Sequence, residues 1–134
     1  MARYDDVPKV FVSNKARKNY EFFCKTENIF PRLVDLFHFS ASVGILLKKR
    51  KSLDDRDELV NTYSVDQEEI YETILKEMHP DADGKTRLAL LQEYAEAGIE
   101  IIREFYDKHG KLYFVDFFRE ISIDQTINQD FSEK

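Results

Sequence analysis

The chain has 134 residues, 43% hydrophobic and 13% aromatic, enough to bury one core and too apolar for a disordered segment. Four glycines and three prolines are too few for a sandwich or barrel that turns every ten residues, so helices are expected. The net charge of −6 hides a division: residues 1–51 hold 11 Lys/Arg against 5 Asp/Glu, while 52–134 hold 9 against 21.

A single cysteine, Cys24, excludes an intramolecular disulfide and any multi-cysteine zinc site, and its setting suits a small core or flank residue. No stretch approaches the ~18 consecutive apolar residues of a membrane span. MARYDDVPKV carries no hydrophobic signal region. A cytoplasmic protein with no membrane partner is therefore expected.

Lys9-Val10-Phe11-Val12 is β-branched and aromatic, which predicts one short strand. Ser13 or Asn14 can cap a helix reaching about Thr26, with Ala16, Tyr20, Phe23 and Cys24 on its apolar stripe. Pro31 suits the first turn of a second helix, to about Lys49. That helix is apolar nearly all round, so it needs cover on several sides. A second subunit is a natural source, and Val10, Val12, Leu36, Phe37, Phe39 and Val43 are the expected oligomer interface.

The stretch 54–61 is polar and reads as a loop. Ser64 or Asp66 can start a third helix, with Glu68 and Glu69 in its positive first turn. A fourth runs from about Lys85 to His109, where Leu88, Leu91, Ala95, Gly98, Ile102 and Phe105 recur at alternating spacings of three and four. Gly98 on that stripe predicts close helix approach, and Gly110 is a C-cap candidate. Leu112 to Ile121 predicts a short docking helix using Leu112, Val115, Phe118 and their aromatic neighbours, ahead of a polar tail over 122–134.

Catalytic and metal signatures are weak. His38, His79 and His109 include no ligand pair four apart on one helix face. Gly84-Lys85-Thr86 ends like a phosphate loop, but His79 stands where its first glycine belongs, so a helix start is the better reading. Asp81-Ala82-Asp83-Gly84 lacks the remaining oxygen ligands of a calcium loop. Glu93, Glu96, Glu100 and Glu104 fit the solvated side of the fourth helix, with nothing placed to tune one as a general acid. No catalytic residue, metal or cofactor is therefore assigned.

Strand, helix, break, apolar helix and a basic end is the order of a ribbon-helix-helix unit, in which paired strands from two subunits can enter the DNA major groove. Alternation puts Lys9, Phe11 and Ser13 on one face. Phe11 is a poor base reader, so backbone contact is the better expectation. Its candidates are Lys9, Lys15, Arg17 and Lys18, followed by Lys48, Lys49, Arg50 and Lys51. The expected fold is thus mainly α: one domain with a short N-terminal strand and about four to five helices. Its N-terminal half is ribbon-helix-helix-like over 10–51 and basic, an acidic helical segment covers 64–121, and the whole is dimeric.

Asp35-Leu36-Phe37-His38-Phe39-Ser40-Ala41-Ser42-Val43-Gly44, then Lys48-Lys49-Arg50-Lys51-Ser52-Leu53, resembles the Dnd system-associated protein 4 family of bacterial DNA-phosphorothioation loci. Leu91-Gln92-Glu93-Tyr94-Ala95-Glu96-Ala97-Gly98-Ile99-Glu100-Ile101-Ile102 resembles a later segment of the same family, and the likeness covers most of 10–120. Ser40 and Ser42 depart from its usual alanines, and Ile45 stands where an aromatic is common. The resemblance implies a small accessory protein in phage or plasmid restriction, encoded with larger motors and nucleases. Taken with the basic front, it gives a non-catalytic subunit with duplex DNA and a larger defence protein as expected partners. It carries over no catalytic residue. The alternative is a protein–protein adaptor with no DNA contact.

Overall fold

A computed structural model describes residues 7–65 and 70–122. The fold is mainly helical, with one two-stranded antiparallel sheet among the described residues. Strand β1 (Lys9–Val12) alternates as expected, with Val10 and Val12 buried and Lys9 and Phe11 partly exposed. Ser13 then ends the strand and starts helix α1 (Asn14–Glu21), its hydroxyl accepting from the Ala16 N–H at 3.0 Å. A π-helical turn, Phe22–Thr26, continues α1, marked by the Glu27 N–H reaching back five residues to the Phe22 carbonyl at 2.8 Å. It carries Phe23 into full burial.

Helix α2 (Leu33–Leu47) starts two residues after Pro31. It ends on Lys48, a non-glycine in the left-handed region (φ 56°). The Lys49 N–H bonds the Gly44 carbonyl at 2.9 Å and the Lys48 N–H bonds Ile45 at 3.1 Å, so the last carbonyls are satisfied as in a Schellman turn.

The stretch read as a loop contains strand β2 (Asp57–Asn61). Its pattern is poor, with only Leu59 and Val60 apolar, and β1 supplies what propensity lacks. The strands pair antiparallel, Lys9 opposite Asn61 and Val12 opposite Asp57, with a register shift between Val10 and Phe11. The partner of β1 is thus in its own chain.

Short α3 (Thr62–Val65) follows directly, so Ser64 lies inside a helical turn. The expected first turn at Asp66, Glu68 and Glu69 lies outside the described residues. Helix α4 (Ile70–Met78) and long α5 (Gly84–His109) come next. Asp83 starts α5 by accepting from the Thr86 N–H at 2.8 Å. Gly110 (φ 75°) closes it, its N–H on the Tyr106 carbonyl at 2.7 Å. Helix α6 covers 114–122; the tail beyond lies outside the described residues.

The chain divides into two compact units, 1–100 and 101–134. In the first, α2 and α5 run antiparallel at backbone contact. A Cβ on Gly44 would stand 2.0 Å from the Tyr94 carbonyl oxygen, and one on Gly98 would stand 1.8 Å from that of Ser40. The sums of the paired numbers agree, so the contact repeats after one helical turn. Tyr20, Phe23, Leu36, Phe37, Leu75 and Leu91 fill this core. Glu72 of α4 is buried there too, paired with Arg87 of α5.

In the second unit Phe105 meets Phe117 edge-on at 5.2 Å. Leu112, Phe117 and Ile121 face inward. The expected docking face holds at Leu112 and at the aromatic neighbour Phe117 and is corrected at the other two positions: Val115 is 70% and Phe118 43% exposed. Because the helix begins at 114, its inner stripe falls on 117 and 121, one turn apart.

The expected oligomer interface is corrected as well. Val10, Val12, Leu36, Phe37 and Val43 are each no more than 1% exposed within the single chain. Phe39 is half-buried and packs on Phe30 at 5.6 Å. Neighbours within the chain, among them α1, β2, α3 and α5, supply the cover that the apolar second helix requires.

Candidate nucleic-acid interface

The eight basic candidates separate into two groups. Lys9 donates to the Asn61 Oδ1 across the ribbon at 2.7 Å. Arg17 bonds the Glu58 carbonyl and pairs with Glu21 at 3.6 Å. Arg50 pairs with Glu93 at 3.5 Å and lies over the Tyr94 ring, 5.9 Å from its centroid. Lys51 pairs with Glu100, and its backbone N–H bonds the Glu93 carbonyl at 3.1 Å. That bond to Glu100 holds the Lys51 ammonium above its usual range. Lys9 is thus held by an amide and the other three by carboxylates, which ties up the strand, helix α1 and the start of the 48–56 loop.

Lys15, Lys18, Lys48 and Lys49 differ. All four are exposed, and the side chain of none has a hydrogen-bond or ion-pair partner among the described residues. Lys15 and Lys18 lie three apart on α1, hence on one face. Lys48 and Lys49 form the turn that ends α2.

Gln92 and Glu96, one turn apart on α5, have a role that sequence reading missed. The Gln92 Oε1 accepts the Phe11 N–H at 2.7 Å. Glu96 accepts from both the N–H (3.3 Å) and the hydroxyl of Ser13. Backbone donors of β1 and its following cap are thereby satisfied by α5 side chains, as a buried N–H requires. Glu96 is only 6% exposed, correcting its placement on the solvated face. A polar pair at i and i+4, hence on one face and bordering the apolar stripe, was the available signal. The consequence for β1 is direct: β2 takes one edge, and Gln92 holds the Phe11 N–H that a partner strand would need.

The other reactive side chains have local partners. His38 Nδ1 lies 2.9 Å from the Tyr71 hydroxyl, and His79 Nε2 lies 2.8 Å from that of Tyr94. Burial pushes the Tyr94 phenol up, and pushes that of fully buried Tyr20 up further. His109, at the α5 C-terminus, stands 3.5 Å from Glu120. The half-buried Cys24 Sγ lies 3.6 Å from the Arg32 carbonyl, and burial raises its thiol first. Gly84-Lys85-Thr86 begins α5, as a helix start.

No family model, curated protein or solved structure matches the chain. No helix among the described residues is long and apolar enough to cross a membrane.

Proposed function

We propose that the chain is a non-catalytic accessory subunit of a bacterial anti-phage, DNA-modification-linked restriction system, and that it touches the DNA backbone while serving a larger defence protein. The defence setting rests on the resemblance over 35–53 and 91–102. Backbone contact rests on one observation: Lys15, Lys18, Lys48 and Lys49 stay exposed and unpaired among the described residues, in a chain of net charge −6. Phosphate contacts by lysine need charge and reach rather than a shaped pocket. Lys48 adds a local argument. It occupies a left-handed position where glycine is favoured, which is where a side chain retained for contact would be tolerated at some expense of stability.

Binding of fluorescent random duplex at low salt tests this reading. The wild type is expected to bind, and the four-lysine-to-glutamate variant to lose binding with its circular dichroism unchanged. Equal binding by both would remove these lysines from the interface.

The adaptor without DNA contact has its own support in the second unit. Tyr113 (53%), Phe114 (43%), Val115 (70%) and Phe118 (43%) are exposed together, and grouped apolar exposure marks contact surfaces. Association of two copies belongs to the same proposal. It would use exposed residues such as Tyr63 (71%) rather than the buried valines of β1. Absence of DNA binding at low salt favours the adaptor.

A further inference from the structure

A cavity of about 460 Å³ lies against the start of α2 and the end of β2. Its polar wall is Arg32, His38, Asn61 and Ser64, and its apolar part is Leu33, Val34 and Val60. The chain has 26 acidic residues in 134, yet none of these seven is Asp or Glu.

The chemistry of that wall is donor-rich. Arg32 holds Asp35 through Nε (3.1 Å) and Nη2 (2.9 Å), which leaves both protons of Nη1 available, since a guanidinium carries five donors. Asn61 is oriented by Lys9, whose ammonium occupies its Oδ1 at 2.7 Å; its amide nitrogen is then the group left for a ligand. Ser64 adds a hydroxyl, and Lys9 adds a second cation beside Asn61. His38 is fixed in place by Tyr71 at 2.9 Å.

We propose that this cavity binds a phosphomonoester group, with Leu33, Val34 and Val60 against the body of the molecule that bears it. A terminal phosphate offers three strong acceptor oxygens, matching the Arg32, Asn61 and Ser64 donors better than the two oxygens of a carboxylate. With its Nε–Nη2 fork on Asp35, Arg32 offers the charge-assisted donors of Nη1 to a phosphate oxygen. The volume lies within the range of small-molecule sites, roughly 300–1,000 Å³. A free mononucleotide and the 5′-phosphorylated end of a strand share this chemistry. None of the lysines assigned to the DNA backbone lines the cavity, so either proposal can fail alone.

The test is an NMR titration of the full chain with inorganic phosphate and with adenosine monophosphate. A 5′-phosphorylated tetranucleotide and its 5′-hydroxyl counterpart follow. Saturable shifts are expected at the Asn61 side-chain amide and the Val34 and Ser64 backbone for phosphate-bearing probes, and the tetranucleotide pair then tells a strand end from a free nucleotide. Replacing Arg32 and Ser64 by alanine is expected to weaken phosphate about tenfold or more, the scale of one lost charge-assisted bond. Asn61→Asp, an exposed change that puts an anion on the wall, is expected to abolish binding while the rest of the spectrum stays in place. The four-lysine variant is expected to bind phosphate as the wild type does. Lack of saturation with every probe would overturn the proposal. So would shifts confined to the exposed lysines, or a 5′-hydroxyl strand that saturates the same Asn61, Val34 and Ser64 signals as strongly as the phosphate-bearing probes.

Discussion

Gly44 and Gly98 set how closely two helices approach, and each does so against backbone rather than side chain. A methyl at Gly98 would overlap the Ser40 carbonyl at 1.8 Å, and a carbonyl in a helix cannot swing aside as a side chain can. Gly98→Ala and Gly44→Ala are each expected to cost about 3 kcal/mol or more, the upper end for overpacking, read as a lower urea midpoint. Gly110→Ala serves as the contrast. Nothing lies within 4 Å of its added Cβ, so its cost is the left-handed backbone alone, about 1–2 kcal/mol. Lys48→Gly is expected to raise stability by about 1 kcal/mol while removing one proposed DNA contact. The role of Gly98 was legible, because it sits on the apolar stripe of a long periodic helix. Its partner Gly44 was visible only within the resembling segment, because a single sequence does not say which two helices meet.

Elements were legible where periodicity was strong and local. The α5 stripe and its Gly110 end were expected nearly to the residue, as were the strand at Lys9 and the Ser13 cap. Strand β2 was missed because its five residues hold few strand formers, and its ladder comes from residues 45 to 52 positions away in the chain. The register of Val115 and Phe118 was missed because the start of α6 at 114 decides it. Between α4 and α5, Glu72 and Arg87 form a pair with side chains 5% and 14% exposed. Lys76 also reaches the Glu72 Oε1, at 3.7 Å, so Arg87→Ala leaves Glu72 a longer, more exposed partner and is expected to destabilise by about 3 kcal/mol, the lower end for a broken buried pair, measured by thermal or chemical unfolding.

Asp83 gives the start of α5 a pH dependence. Its carboxyl is held below the usual range, first by the Thr86 backbone N–H. A carboxyl depressed on folding contributes stability that is present above the unfolded value, about 3.9. That contribution is lost as pH falls through the folded value. Asp83→Asn retains a capping oxygen without the charge, so unfolding midpoints between pH 5 and pH 2 are expected to fall less steeply than in the wild type.

At the scale of the whole chain, the basic first third and acidic remainder describe the sequence better than the surface. Folding sets Arg50 against Glu93 and Lys51 against Glu100, so part of the apparent basic patch is consumed in holding the 48–56 loop to α5. Charge counts along a sequence cannot anticipate this, because they carry no information on which segments become neighbours. What survives is a smaller set, Lys15, Lys18, Lys48 and Lys49. Counterion release makes that set measurable: four phosphate contacts on duplex DNA correspond to a slope of log K against log salt of roughly −3.6. The decisive measurement is that slope for the wild type and for the variant with all four lysines changed to glutamate. The expected result is a wild-type slope near this value and no measurable binding by the variant. A slope shared by both proteins, or no wild-type binding even at low salt, would contradict the DNA-contacting role.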